Sequence, residues 1–373
     1  MRICRRELLR EFATVAATSA FLPTIAEPAF PAVDTSKRLV RLDHNENPYG
    51  PCEKAKAAFH EALVEVNRYP SEDVENLRVA IAAAHGVQAE NVTLGCGSTE
   101  VLRMTAEAFL GPDKNLVTAS PTFDCIANAA RMLGAEVRGV PLTRDYAHDL
   151  DAMLARSDRT TGMFYICNPN NPTGTLTPKS DLDTFLAKVP AGAGVVIDEA
   201  YHDYVAPSGA YASWAARATA IPKLIVTRTF SKIYGIAGLR VGYAISSAET
   251  AKRVAVRRLP MDVNGVAARV ALAAVSDSGY VKKLATTNAN ARQEFLNQVN
   301  ARMLRCLDSH TNFVLMRTGA SGKETAELLR AKGVLVGADY PSFEKHIRVS
   351  LGLPEDMQAF WRVWDASMPH HPM

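Results

Sequence analysis

Short apolar runs alternate with amphipathic stretches along most of the chain. Val92–Leu94, Asn115–Thr118, Glu136–Val140, Gly162–Cys167, Gly194–Ile197, Leu224–Thr227 and Val241–Ile245 have the length and the β-branched or aromatic content of strands. Between them, Glu100–Leu110, Asp124–Leu133, Asp149–Ala155 and Lys179–Lys188 carry helical patterns. Strand and helix in alternation predict a mostly parallel sheet covered by helices on both faces, an α/β, three-layer αβα domain. After Met261 the pattern changes. Helices are expected at Val266–Ser276 and Val281–Arg302, then a strand at Asn312–Met316 and a helix at Gly322–Lys332. Short strands at Val334–Val336 and His346–Ser350 and a last helix at Pro354–Ala366 complete a smaller α+β unit. There is no internal repeat and no low-complexity tract.

The first 32 residues belong to neither pattern. Arg2, Arg5, Arg6 and Arg10 precede an uncharged apolar run, Phe12–Ala26, which is the layout of an export signal and too short for a membrane span. Cys4-Arg5-Arg6-Glu7-Leu8-Leu9-Arg10 resembles a twin-arginine signal, which exports proteins already folded. An exported or periplasmic protein is expected; the alternative is an amphipathic N-terminal helix or tail on a cytoplasmic one. Pro23, Pro28 and Pro31 mark a linker. The whole chain of 373 residues is 47% hydrophobic and 22% charged, ordinary globular composition. A net charge of +3 supplies no electrostatic footprint for nucleic acid. The six cysteines form no C-x-x-C pair and no Cys/His cluster with zinc spacing, so no metal site is expected.

Polar groups gather where strands end. Gly95-Cys96-Gly97-Ser98-Thr99-Glu100 follows one strand and opens a helix; small residues there let backbone N–H groups approach an anion. Asn168-Pro169-Asn170-Asn171-Pro172-Thr173-Gly174 follows a second strand. Asp198-Glu199-Ala200-Tyr201 ends a third, placing an acid where it needs a buried partner. Thr229-Phe230-Ser231-Lys232 follows a fourth, with Gly235 and Gly238-Leu239-Arg240 close behind. Each alone is a weak signal, and their order is the strong one.

This order resembles the fold-type I pyridoxal-phosphate aminotransferases. His44-Asn45-Glu46-Asn47-Pro48-Tyr49-Gly50 and Asn67-Arg68-Tyr69-Pro70 narrow the resemblance to the histidinol-phosphate aminotransferase-like branch, over about Arg41 to Trp364. It implies a large cofactor-binding domain over residues 67–260, a small C-terminal domain over 261–373, and an arm over 33–66 that joins the small domain. Lys232 is then the lysine that carries the cofactor and moves the substrate's proton. Asp198 pairs with the pyridine nitrogen, Tyr201 and Asn171 with the ring oxygen, and Phe123 stacks on the ring. Gly97, Ser98, Thr99, Ser231 and Arg240 hold the phosphate. Tyr69 reaches the cofactor of a second subunit, implying a homodimer. Arg348 grips the substrate carboxylate, and Tyr49 and Asn312 line the mouth.

The implied activity moves an amino group between a 2-oxo acid and an L-amino acid, or an amino-phosphate such as histidinol phosphate. Val336–Phe343 brings no cation to the substrate's distal end, and Asp339 would repel a phosphate. An aromatic or aliphatic amino acid is therefore the expected donor. The same motifs also suit a decarboxylase or lyase of the threonine-phosphate decarboxylase type. A non-catalytic binding protein on this fold is a third reading, disfavoured because Lys232, Asp198 and Arg240 are all present.

Overall fold

The computed structural model describes residues 39–367. The expected signal and linker over residues 1–32 lie outside them, as does the start of the arm. Strand β1 (Val40–Leu42) pairs in parallel with β11 (Val334–Val336), tying the start of the described chain to its C-terminal part. The main sheet has seven strands: β2 (Val92–Cys96), β3 (Asn115–Ser120), β4 (Glu136–Pro141), β5 (Thr161–Cys167), β6 (Gly194–Asp198), β7 (Leu224–Thr229) and β8 (Val241–Ser246). Their spatial order is β2-β8-β7-β6-β5-β3-β4, and only β8 runs against its neighbours. A second sheet joins β9 (Arg305–Cys306), β10 (Phe313–Arg317) and β12 (His346–Ser350) in antiparallel order β12-β10-β9.

Two cores sandwich the main sheet. On β5, Phe164 and Ile166 enter one core while Met163, Tyr165 and Cys167 enter the other. On β6 and β7 the same split sends Val195, Ile197 and Val226 to one side and Val196 and Ile225 to the other. Period-2 alternation between two buried faces leaves no polar face, which is why these strands read as continuous apolar runs. A third cluster, around Phe295, Phe360, Trp361 and Trp364, forms the core beneath the smaller sheet.

Most boundaries fall within two or three residues of expectation. The helix after β2 starts at Ser98, because Gly97 takes φ +79° and turns the chain into it. Helices Glu53–Ala62, Ser71–His85 and Ala248–Ala255 and strands β1 and β9 are additional to the expected elements. No helix among the described residues is long and apolar enough to cross a membrane.

One buried ion pair braces the sheet beside the site. Glu199, just past β6, accepts from Arg228 of β7 (Nε, 2.9 Å), the Ser213 hydroxyl (2.8 Å) and the Trp214 N–H (2.6 Å). Both charged groups are buried. Glu199→Gln should destabilise the fold by about 3 kcal/mol, because it leaves a buried guanidinium with only the Asp203 carboxylate, 3.8 Å away, as counter-charge. Urea unfolding of the two proteins checks this.

Candidate active site

Ligands in open parallel sheets sit beyond the carboxyl ends of the strands. Here those ends carry the loop after β2, the asparagine turn after β5, Asp198 at the end of β6, and Ser231 and Lys232 after β7. Asp198 pairs in register with Thr227, so neighbouring strands deliver the acid and the lysine to one place. The result is a cavity of about 450 Å³ whose wall includes Lys232, Asp198, Tyr201, Asn171, Phe123, Ser98, Thr99, Ser231, Arg240 and Arg348.

Lys232 donates to backbone carbonyls and lies over the Tyr201 ring, 5.7 Å from its centroid. Its Nζ donates to the carbonyls of His44 (3.0 Å) and Asn45 (3.1 Å), and it has no carboxylate partner among the described residues. Burial lowers its pKa to about 8, and Arg348 and Arg240 push the same way. Near pH 8 about half of the amines are therefore neutral, and the neutral share falls as the pH drops. Reductive methylation of cofactor-free protein should reach half its maximal rate at Lys232 near pH 8, well below an exposed lysine, with peptide mass spectrometry as the readout.

Asp198 is buried at the opposite wall. Its Oδ2 accepts from the Tyr165 hydroxyl at 2.9 Å and its Oδ1 from the Ala200 N–H at 3.2 Å. No cation pairs with it among the described residues. Burial raises its pKa, and these hydrogen bonds resist the rise. An acid so placed calls for a protonated, positively charged group in the cavity beside it. A pyridinium nitrogen is such a group.

Arg240 stands at the other end with left-handed backbone (φ +58°), and its Nη1 donates to the Ser231 hydroxyl (3.3 Å) and to the Ala237 carbonyl (2.9 Å). A Cβ on Gly97 would collide with Nη2 of Arg240, so only glycine lets the guanidinium lie over this turn. Ser98 and Thr99 form the first turn of the helix that follows, whose N-terminus favours an anion. Cation, hydroxyls and helix N-terminus make a phosphate cradle. The residues present thus fit pyridoxal phosphate at all three points: lysine, ring nitrogen and phosphate.

Arg348 reaches the cavity from β12. Its Nη1 donates to Asn171 Oδ1 (2.7 Å) and its Nη2 to the Asp43 carbonyl (2.6 Å), while Nε is buried without a hydrogen-bond partner. Tyr201 is buried and accepts from Asn45 Nδ2 at 2.9 Å. Two expected residues lie elsewhere, and Tyr69, expected at a second subunit's cofactor, is off this cavity too. Asn312 is off the cavity wall and acts at one remove, donating to the Asn45 (3.0 Å) and Glu46 (3.2 Å) carbonyls. Tyr49 faces a separate cleft with Phe295 and Trp361. Tyr69 is 83% exposed and touches no part of the cavity.

Two residues without an expected role matter. Asn45, at φ +54°, is a hub joining Tyr201, Ser350, Asn312 and Lys232. Its place in the His44–Gly50 motif and the tolerance of asparagine for left-handed backbone were the available signals. Tyr165 is the other; a hydroxyl-bearing aromatic in the apolar run over residues 163–167, beside the Asp198 strand, could have flagged it. No group of three or more metal-ligating side chains is placed for a metal among the described residues.

The sequence model of the aminotransferase class I and II family matches residues 37–361. Histidinol-phosphate aminotransferase 1 of Cupriavidus pinatubonensis is 39% identical over 328 residues, 86% of this chain and 86% of that protein. The histidinol-phosphate aminotransferase of Bacillus subtilis is 35% identical over 319 residues, covering 85% and 88%. The crystal structure of the Sinorhizobium meliloti histidinol-phosphate aminotransferase in complex with pyridoxal-5'-phosphate superposes with a TM-score of 0.83 at 25% identity, over 95% of this chain and 99% of that one.

Proposed function

This chain belongs to the aminotransferase class I and II family and is a pyridoxal-phosphate-dependent aminotransferase, and from that premise we propose that its amino donor is an L-amino acid with an uncharged side chain. Asp339 carries the proposal. A second cavity of about 540 Å³ adjoins the first, sharing Phe123, Asn171 and Arg348 with it. Pro121, Pro172, Tyr340 and Pro341 supply its apolar wall, and its charged groups beyond Arg348 are Asp124, Asp339 and Arg131. Two carboxylates against one guanidinium make the distal end unfavourable to a dianion.

When bound, pyridoxal phosphate supplies an electron sink for the charge left when a substrate Cα loses its proton. The chain's own residues do the rest. Arg348 binds the substrate carboxylate in a two-point grip, orienting the Cα–H bond. Lys232, neutral in part at physiological pH, takes that proton and returns it elsewhere. Asp198 keeps the ring nitrogen protonated, Tyr201 and Asn171 adjust the ring oxygen, and Phe123 covers the ring face. Gly97, Ser98, Thr99, Ser231 and Arg240 hold the phosphate.

The names of the relatives favour a second reading, histidinol phosphate as donor, and Arg131 is the wall residue that would serve it. Rates with a panel of amino acids and with histidinol phosphate decide between them. Asp339→Arg should raise kcat/KM for histidinol phosphate by roughly tenfold or more and lower it for apolar donors. A wild-type enzyme that prefers histidinol phosphate to every amino acid contradicts the first reading.

We further propose a homodimer in which Tyr69 reaches the partner's cofactor. Tyr69 is exposed beside Phe59, Leu63, Val64 and Val66, an apolar stretch suited to burial against a second copy. Light scattering coupled to gel filtration tests the mass; a monomer that is fully active rejects it. Export in the folded state remains our proposal for the segment containing Arg5 and Arg6, to be tested by cell fractionation with both replaced by lysine.

A further inference from the structure

We propose that a second cleft, formed by the three-stranded sheet and the loops at Arg144 and Thr175, binds a multiply charged phosphorylated small molecule. The cleft has a volume of about 1000 Å³ and shares no lining residue with the cavity around Lys232. Across the small sheet, Arg305 lies directly opposite Arg317, and Arg317 directly opposite His346. Directly opposed residues of antiparallel strands project from the same face, and like charges so placed repel. All three line this cleft, and so do Arg144 and Lys345.

None of the four permanent cations, Arg144, Arg305, Arg317 and Lys345, has an ion pair or side-chain hydrogen bond among the described residues. Asp145, Asp308 and Glu344 also line the wall, and Asp308 lies 4.0 Å from His310 Nε2. Carboxylates are thus within the cleft, yet none forms an ion pair with Arg305 or Arg317 among the described residues. His346 adds a buried Nδ1 with no hydrogen-bond partner. Folding alone gains nothing from two opposed, unpaired guanidiniums. A multivalent anion between them removes the repulsion, because each planar fork matches phosphate oxygens in two parallel hydrogen bonds. The volume exceeds what one phosphate needs and suits a ligand of nucleotide size. Because Arg144 and Thr175 lie on loops of the main sheet while the other cations lie on or beside the small sheet, the ligand would touch both.

The test uses holoenzyme, so that the cofactor's phosphate cradle is filled, and inorganic pyrophosphate as the probe in calorimetry at an ionic strength of about 0.1 M. Pyrophosphate should bind and raise the thermal midpoint. Arg305→Gln/Arg317→Gln should weaken binding by about a hundredfold, roughly tenfold for each guanidinium lost, while basal turnover is unchanged. Should the double variant fold poorly, Arg144→Gln on the opposite wall should weaken binding by about tenfold. Absence of binding to wild type overturns the proposal. So does affinity unchanged in these variants, which would place pyrophosphate at Arg348 instead.

Discussion

Lys232→Ala is expected to lower turnover by roughly ten-thousand-fold or more, because in the proposed mechanism one side chain both carries the cofactor and moves the proton. The fold should tolerate the change. Lys232 contributes no ion pair among the described residues, and its amine donates only to the carbonyls of His44 and Asn45, with the Tyr201 ring 5.7 Å away. Burial and two nearby guanidiniums already depress its pKa, so the protonated amine is costly to the folded state below about pH 8. Removing it lifts that penalty. Circular dichroism should show an intact fold, and the protein should lose the visible absorbance of the attached cofactor. A variant that keeps both colour and turnover would move the chemistry to another lysine.

Asp198→Asn is expected to cost roughly a thousandfold in turnover, because in the proposed mechanism the ring nitrogen loses the negative charge that keeps it protonated. Asparagine keeps the volume and its Oδ1 can still accept from the Ala200 N–H, while its Nδ2 can only donate, so the Tyr165 hydroxyl that now donates to the acid must turn to accept. Stability should respond in the opposite sense. Asp198 is buried without a cation and its pKa is raised, so its ionised form costs the cofactor-free fold free energy at neutral pH. The thermal midpoint of the cofactor-free variant should therefore be no lower than wild type, while the gain on adding cofactor should shrink. Activity lost together with stability in the cofactor-free protein would reduce Asp198 to a structural role.

The sequence was most legible where chemistry and strand ends coincide. Lys232, Asp198, Arg240, Asn171 and the Gly97–Thr99 turn each follow an apolar run, so their shared location follows from the rule for parallel sheets. Arg348 came from a motif order, and its distance along the chain hid its closeness to Asn171. Helices Glu53–Ala62 and Ser71–His85 were illegible for a plainer reason. Alanine supplies much of each, and a small side chain marks no strong apolar face. Tyr49 and Asn312 show the limit of carrying roles over by position: one faces another cleft, and the other acts through the backbone of Asn45 and Glu46. Asn45 itself was invisible as a hub because its role lies in a backbone turn and four hydrogen-bonded neighbours distant in sequence.

Attachment of the cofactor to Lys232 is the step on which every other proposed role depends. Borohydride reduction of the pyridoxal-phosphate-loaded protein, followed by digestion and peptide mass spectrometry, reads this directly. The phosphopyridoxyl mass should appear on the peptide containing Lys232 at near one per chain; the same mass on any other lysine, or on none, would contradict the account.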